Sequence, residues 1–191
     1  YYTLLDNYIY RSDFILDGSS TAIYDGEEVN VVANINKNTA YIVGGTAIFK
    51  GNITNEFQTR TAITFTKGRA YDTNEPLSSI PPVFGNVEFS YVKKRWETGL
   101  NFIFNGRKKL EDYNLTEGID NIEQTPFLDE KHEYYGSPSW QTLNFYSRYK
   151  ATKNIDFLFS LNNVFDQHYK EFASAISAPG RNFTISVLGN F

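Results

Sequence analysis

Apolar and polar residues alternate along much of this chain, and the pattern is clearest near the C-terminus. In Ile155–Asn162 every odd position is large and apolar, and three of the four even positions are polar. Residues 183–191 keep the same parity, with Leu188 as the exception. A period of two places apolar side chains on one face of a strand and polar side chains on the other. Because no helical stripe of useful length competes with it, the pattern predicts an all-β protein.

The same alternation predicts eight strands, at residues 1–10, 38–51, 57–65, 87–91, 100–105, 143–150, 155–162 and 183–191. The connections alternate in length, being short at 52–56, 93–95 and 152–154 and long at 11–37, 72–82, 107–139 and 166–180. In an antiparallel up-and-down meander, every short turn then lies at one end and every long loop at the other. This asymmetry is typical of outer-membrane β-barrels, which have short periplasmic turns and long extracellular loops.

Composition excludes or disfavours several classes of protein. The 191 residues include 18 Lys plus Arg and 22 Asp plus Glu, a net charge of −4, whereas nucleic-acid binders need a basic surface. No apolar run approaches the roughly 18 residues of a membrane-spanning helix. The chain has no Cys, and His132 and His168 fall in different predicted loops, so no metal site and no cofactor are predicted. The absence of Met and of a signal peptide predicts a processed product or part of a longer protein.

The residues on the apolar face favour a membrane barrel over a soluble one. A lipocalin-like barrel also has strands with one apolar face, but that face points inward. The phenylalanines here are too bulky and too numerous to fill a small barrel, whereas bilayer hydrocarbon accepts any volume. Aromatic residues also fall near predicted strand ends, where interfacial girdles lie: Tyr91, Trp96, Tyr149 and Phe191. The polar face suits a hydrated or plugged lumen and includes Arg60, Arg148, Lys150, Asp156 and Asn162.

Two groups of motifs resemble those of the TonB-dependent outer-membrane receptors. Residues 161–169 read Leu-Asn-Asn-Val-Phe-Asp-Gln-His-Tyr, residues 179–183 read Pro-Gly-Arg-Asn-Phe, and the last strand ends on an aromatic residue. Upstream, Phe-Thr-Lys-Gly at 65–68 precedes Glu-Pro-Leu at 75–77 and Ile-Pro-Pro at 80–82, which is similar to a strand–loop–strand passage of the family. The C-terminal signature residues are Asn162, Asn163, Phe165, Asp166, Tyr169, Gly180, Arg181, Phe183 and Phe191.

The resemblance implies a 22-stranded barrel occluded by an N-terminal plug domain, with this chain supplying the last eight strands. Residues 1–191 are then the C-terminal part of one transmembrane barrel domain, and the plug is absent from this chain. The implied function is uptake of a scarce solute, such as a siderophore, haem, cobalamin or a glycan, across the Gram-negative outer membrane. Expected partners are the rest of the receptor, TonB through the missing N-terminal part, and outer-membrane lipid. No bond is made or broken, so no enzyme activity and no catalytic residues are expected.

Roles can be predicted for individual signature and loop residues. Asp166 is predicted to cap the turn into the last long loop, and Gly180 to adopt a positive φ where the chain re-enters the last strand. The longest loop, residues 107–139, carries aromatic residues that are candidate ligand contacts, because binding residues concentrate on loops held by a rigid scaffold. Together with the residue that follows the loop, these candidates are Tyr113, Phe127, Tyr134, Tyr135 and Trp140.

Two other architectures stay open on the sequence alone. A stand-alone eight-stranded outer-membrane barrel has a similar length, but its first strand has to pair with its last. A soluble lipocalin-like binding module has the same strand count and needs no bilayer. The receptor interpretation predicts instead that the first and last strands are not paired with each other.

Overall fold

A computed structural model describes residues 1–190, which contain twelve β-strands and two short 3-10 helices, Leu110–Asp112 and Ile122–Gln124. No helix in this part of the chain is long and apolar enough to cross a bilayer. Phe191, the predicted aromatic terminus, lies outside the described residues. The strands are β1 (Tyr2–Asp13), β2 (Thr21–Tyr24), β3 (Glu27–Asn30), β4 (Val32–Asn52), β5 (Phe57–Ala70), β6 (Phe84–Lys93), β7 (Trp96–Asn105), β8 (Phe127–Leu128), β9 (Glu133–Tyr134), β10 (Trp140–Lys150), β11 (Ile155–Asn162) and β12 (Asn182–Gly189).

Eight of these strands form one antiparallel sheet in the order β1-β4-β5-β6-β7-β10-β11-β12. Each pairs with the next one along the chain, and the two remaining strand pairs, β2–β3 and β8–β9, are small hairpins within the connections. The predicted eight-stranded antiparallel meander is therefore confirmed. Within residues 1–190, β1 and β12 stand at opposite ends of the strand order and do not pair with each other.

The three predicted tight turns are also confirmed. Two of them use the same device, in which a threonine hydroxyl accepts a backbone N–H three residues later. Thr54 Oγ1 accepts from the Phe57 N–H over 3.1 Å, and Thr152 Oγ1 accepts from the Ile155 N–H over 3.0 Å. The turn between β6 and β7 is only two residues long and holds Lys94 at a φ of 54°.

The predicted loop at residues 11–37 is wrong. β1 continues to Asp13, β2 and β3 form a hairpin, and β4 already begins at Val32. The hairpin turns at Asp25-Gly26, whose φ values of 52° and 86° match the left-handed pair that a two-residue hairpin turn requires. The prediction failed because apolar residues in this segment do not keep a strict period of two, although the Asp-Gly pair was visible as a turn signal.

The chain divides into two compact units, and the first comprises residues 1–44, 66–80 and 109–136. This unit has a conventional core of side chains shielded from solvent. The buried apolar residues are Tyr10, Ala40, Ala70, Leu77 and Tyr113, each at most 8% exposed. The core therefore joins β1, β4 and the end of β5 to residues of two loops, 71–83 and 106–139.

The second unit comprises residues 45–65, 81–108 and 137–191, and its apolar side chains are arranged in the opposite way. They form an exposed sheet face instead of a core. The strand register aligns Phe89, Leu100, Phe145, Leu161 and Phe183 in one row across five strands. Phe89 is 48% exposed and Phe183 is 68% exposed. An extended exposed apolar face of this kind fits a surface that contacts lipid hydrocarbon.

Aromatic pairs lie on this exposed face next to the short turns. Trp96 packs against Tyr149 with ring centroids 4.5 Å apart, and Phe57 packs against Tyr91 at 4.6 Å. Aromatic side chains at strand ends are characteristic of the membrane–water interface. The predicted girdle is therefore present at the end of the second unit that carries the short turns.

The other face of the second unit is polar and internally paired. Arg148 Nε donates to Asp156 Oδ2 over 3.0 Å across β10 and β11, and the Tyr146 hydroxyl donates to Glu88 Oε1 over 3.1 Å. Asp156 is only 8% exposed, and Arg148 is its partner across the two strands. Of the residues predicted for the inner face, Arg60 lies opposite Glu88 in the strand register. This face is suited to a hydrated lumen and not to lipid.

Candidate ligand-binding loops

The longest loop is anchored in the first unit through one buried amide, that of Asn114, which is 5% exposed. The Tyr10 hydroxyl donates to Asn114 Oδ1 over 3.2 Å, and Asn114 Nδ2 donates to the Pro76 carbonyl over 2.9 Å. Asn114 Oδ1 also accepts the Glu117 N–H over 3.0 Å. A single side chain thus connects the loop to β1 and to the loop that follows β5.

Charged side chains add further anchors between these loops and the strands. Arg69 Nη2 lies 3.1 Å from Asp112 Oδ1, and Arg69 Nη1 donates to the Asn74 carbonyl over 2.7 Å. Asp120 Oδ1 accepts the Ser79 N–H over 2.9 Å. The Arg69–Asp112 and Ser79–Asp120 hydrogen bonds are partly buried and are therefore less screened than those of surface pairs. The loop is held in a defined conformation over residues 112–120.

Lys37 belongs to the same anchor and lies beyond the part of β4 that crosses a bilayer. It is fifteen residues from the end of β4 at Asn52, whereas about ten residues span the hydrocarbon. Its Nζ lies 2.7 Å from Glu75 Oε2 and 3.8 Å from the centre of the Tyr10 ring. Burial is the largest single influence on Lys37 and opposes its charge, but the hydrogen bond to Glu75 together with the charge interactions with Tyr10, Glu75 and Tyr8 raises the pKa of Lys37.

The five predicted ligand contacts have different surroundings. Tyr113 is 4% exposed and belongs to the core of the first unit. Phe127 and Tyr134 face each other across the β8–β9 hairpin with ring centroids 5.2 Å apart, and Phe127 is 48% exposed. Tyr135 follows directly and donates its N–H to the Pro126 carbonyl over 2.7 Å. Trp140 begins β10 in the second unit, so three of the five share one hairpin.

The last loop is organised by Asn163, which is 3% exposed. Its Oδ1 accepts the Gln167 N–H over 2.9 Å, while its Nδ2 donates to the carbonyls of Gln167 at 2.9 Å and Pro179 at 3.3 Å. Its own N–H donates to Asn144 Oδ1 over 2.8 Å. Asn163, and not Asp166, therefore caps the turn into this loop, which corrects the predicted role of Asp166.

Asp166 instead joins the two ends of the loop. Its Oδ1 accepts the Arg181 N–H over 2.7 Å, and its Oδ2 lies 4.0 Å from Arg181 Nη2. The predicted positive φ of Gly180 is wrong. A Cβ at Gly180 would lie 2.9 Å from Asp166 Oδ1, so a larger residue there would make this carboxylate shift.

The other signature residues have varied surroundings. Tyr169 packs on Trp140 with ring centroids 4.1 Å apart, and burial raises the pKa of Tyr169. Asn162 Nδ2 donates to Asn182 Oδ1 over 3.1 Å at the paired ends of β11 and β12. Phe183 lies on the exposed apolar face, and Phe165 is 62% exposed in the last loop.

Sequence reasoning missed the exposed β2–β3 hairpin as a possible contact surface. Ile23 and Tyr24 are 73% and 74% exposed there. The signal that could have found it was the Asp25-Gly26 turn. Within residues 1–190, no group of three or more His, Asp or Glu side chains is placed to hold a metal ion.

The hydrogen bonds of Asn163 predict that its replacement strongly destabilises the protein. Asn163→Ala is expected to lower the free energy of unfolding by about 2 to 3 kcal/mol, because several shielded backbone groups lose their partners. The measurement is urea unfolding of the complete receptor that contains this chain, refolded in lipid vesicles. Asn162→Ala is the matched control, since it removes one exposed amide–amide bond and is expected to cost less than about 1 kcal/mol. Equal losses of unfolding free energy in the two variants would contradict the organising role of Asn163 in the last loop.

Comparison with solved structures identifies the architecture. The copper transporter OprC matches with a TM-score of 0.74 and 16% identity, covering 100% of this chain and 28% of that chain. A mutant form of the ferric enterobactin receptor PfeA from Pseudomonas aeruginosa matches with a TM-score of 0.71 and 15% identity, over 100% and 28% of the two chains. The chain has the barrel fold of the TonB-dependent outer-membrane receptors. The siderophore receptor PirA from Acinetobacter baumannii has the same fold, with a TM-score of 0.69, 18% identity and the same coverages.

The chain spans 28% of the length of these three receptor structures. They are named as a transporter and as receptors. No protein-family model and no curated protein matches the sequence. Short motifs and the strand pattern were enough to predict the TonB-dependent receptor fold from the sequence. Among the comparisons, only the similarity of three-dimensional structure supports that fold.

Proposed function

We propose that this chain forms part of the barrel wall and the extracellular loops of a TonB-dependent receptor in the Gram-negative outer membrane. The carrying observation is the eight-stranded meander whose exposed face is apolar and whose turns and loops alternate in length. The receptor takes up a scarce solute of the siderophore, haem, cobalamin or glycan class. The names of the structural neighbours, a copper transporter and siderophore receptors, support this class of function.

The partners of the chain follow from the edges of its sheet. β1 and β12 each end the strand order, and an unpaired strand edge in hydrocarbon leaves backbone groups unsatisfied at several kcal/mol each. Further strands of the same receptor therefore pair with both edges, and residues 1–191 form the C-terminal portion of one barrel domain. The plug and the TonB-contacting segment belong to the N-terminal part of that receptor. Outer-membrane lipid covers the apolar face, and nucleic acid is not a partner.

In this function the loops bind solute, and no covalent chemistry takes place. The β8–β9 hairpin presents Phe127, Tyr134 and Tyr135 on the longest loop, and Trp140 lies at the start of β10. The anchors at Asn114 and Arg69 hold the same loop in place, which lowers the entropy lost on binding. Because Tyr113 is buried, we assign it to packing within the loop and not to solute contact.

The two alternative architectures are less compatible with this sheet. A stand-alone eight-stranded barrel requires a ladder between β1 and β12, and residues 1–190 contain none. A lipocalin-like module requires the bulky apolar face to be enclosed, whereas Phe57 and Phe157 are 48% and 47% exposed.

The orientation of the loops is testable with surface labelling, because the chain contains no native Cys. Glu130→Cys, at the tip of the β8–β9 hairpin, is expected to react with a membrane-impermeant maleimide on intact cells. Lys153→Cys, in the turn between β10 and β11, is expected to react only after the outer membrane is permeabilised. Labelling of Lys153→Cys on intact cells would reverse the proposed topology.

The solute-binding role predicts a loss of affinity at the hairpin. Phe127→Ala and Tyr134→Ala are each expected to weaken solute binding by about tenfold, the equivalent of one aromatic contact. The measurement is uptake and binding of labelled ferric siderophores, haem and cobalamin by cells that express the receptor, with a TonB-deficient strain as reference. Phe165→Ala is the matched control on the last loop. Uptake that is unaffected by loss of TonB would refute the proposed function.

A further inference from the structure

Charge is divided very unevenly between the two compact units of the chain. The first unit contains 16 Asp and Glu against six Lys and Arg, whereas the second contains six Asp and Glu against twelve Lys and Arg. The side chains of the first unit therefore carry a net charge of −10, although the whole chain carries only −4. The first unit includes the β2–β3 hairpin, the β8–β9 hairpin and most of the longest loop.

Some carboxylates of the first unit are compensated by cations within the fold. Asp112 pairs with Arg69, and Glu75 pairs with Lys37. These ion pairs anchor the loops, so the negative charge of the two carboxylates is explained by the stability of the unit itself.

The carboxylates of the two hairpins are not compensated in this way. All of them are exposed, and none forms an ion pair within residues 1–190: Asp25, Glu27, Glu28, Asp129, Glu130 and Glu133. Lys131 is the only Lys or Arg in the sequence of the two hairpins, residues 21–30 and 127–134. Unpaired like charges at exposed turns create a negative potential over the surface of the loops.

Exposed aromatic rings accompany these carboxylates. Tyr24 precedes Asp25 at the tip of one hairpin, and Phe127 packs edge-on against Tyr134 in the other. The face of an aromatic ring attracts a cation, and a neighbouring carboxylate adds to this attraction. The combination fits a solute that has a positive charge and some apolar surface. It opposes an anionic solute, because like charges brought together at an interface weaken binding.

We propose that the loops of the first unit select a solute of net positive charge, and that this solute is a cationic ferric chelate of the hydroxamate type. This inference rests on the proposed uptake function and narrows its list of solute classes. Ferric tris-catecholates and haem carry net negative charge, and neutral glycans and cyanocobalamin gain nothing from a negative potential. A ferric trihydroxamate is neutral at its metal centre, so a free ammonium group on its chain makes it a cation.

The test compares three ferric chelates on the complete receptor that contains this chain, held in lipid nanodiscs. The first probe is a linear ferric trihydroxamate with a free ammonium group, the second is the same chelate with that amine acetylated, and the third is a ferric tris-catecholate. Stopped-flow fluorescence measures the association rate constants. In about 0.01 M salt the cationic chelate is expected to associate about tenfold faster than its acetylated form. Most of this advantage should disappear in about 0.15 M salt, because the Debye length falls from about 30 Å to about 8 Å.

Neutral variants locate the effect on the hairpin. Asp129→Asn, Glu130→Gln and Glu133→Gln together remove three charges with little change in shape, and are expected to slow association of the cationic chelate by about tenfold. Association of the acetylated chelate is expected to be unchanged, which shows that the loop has kept its fold. Glu171→Gln is the matched control, since it removes an exposed carboxylate of the last loop in the second unit, and it is expected to affect neither chelate.

Four results would overturn the inference. These are equal association of the cationic and acetylated chelates, faster association of the tris-catecholate, no binding of the cationic chelate, or a rate for the cationic chelate that the triple variant leaves unchanged. The proposed uptake function fails in a different way, by uptake of solutes that does not depend on TonB. TonB-dependent uptake that favours the anionic probe would therefore refute the charge selection alone.

Discussion

Replacing Phe159 with lysine is expected to destabilise the protein in a bilayer by about 2 to 4 kcal/mol, the cost of a cation on the lipid face near the midplane. Phe159 lies in the middle of β11, is 38% exposed, and packs on Phe145 with ring centroids 6.2 Å apart. Its neighbours across the strands are Ser147 and Ile185. The lysine would have to place its ammonium group in hydrocarbon, where no partner is available.

Ser160→Lys is the matched control because it changes the adjacent residue on the opposite face. Ser160 lies opposite Tyr146 and Thr184 on the polar face, so a lysine there reaches water and is expected to cost much less. Urea titration of both variants in the complete receptor, refolded into lipid vesicles, measures the difference. Equal destabilisation, or a larger effect at Ser160, would mean that the two faces of β11 have been assigned in the wrong order.

The chain expressed alone and refolded in detergent is expected to aggregate or to remain heterogeneous. It should not give the monomer with heat-dependent electrophoretic mobility that closed barrels give. Two strand edges, those of β1 and β12, are unpaired in the sheet, and exposed edges template association with other chains. β12 carries Phe183, Ile185 and Val187 at 62–68% exposure, which adds an apolar surface to one of these edges.

The comparison that decides this prediction is the same chain within the complete receptor. There the missing strands supply partners for both edges, and a single folded species is expected. A homogeneous, protease-resistant monomer formed by the isolated chain would contradict the receptor interpretation. A hydrogen-bonded ladder between Tyr2–Asp13 and Asn182–Gly189 in that monomer would favour the stand-alone eight-stranded barrel.

The sequence by itself determined the membrane-facing part of the fold. In the proposed orientation, strands such as β11 have one face in hydrocarbon and one in a polar lumen, and a strand between two different solvents must alternate with a period of two. The short turns could also be predicted, because the hydrogen bonds accepted by Thr54 and Thr152 join residues only three positions apart in the chain. For the same reason the number and order of the eight sheet strands followed from local pattern alone.

The sequence did not determine the loops, because their structure depends on contacts between residues far apart in the chain. Asn114 looks like an ordinary loop residue until Tyr10 and Pro76 are brought to it, and Tyr113 looks like a ligand contact until the core of the first unit buries it. The start of β4 at Val32 was also hidden, since a strand beyond the bilayer need not alternate.

The last loop also shows which features followed from the sequence and which depended on the tertiary structure. The motif around Asn163 and Gly180 was recognisable as a signature, but its local reading gave Asp166 the cap and Gly180 a positive φ. Only the folded loop places Asp166 Oδ1 2.9 Å from where a Gly180 Cβ would lie, and only there does Asn163 reach Pro179. Alternation is set by the solvent on each side of one strand, whereas these distances are set by closure of a loop, which the tertiary structure decides.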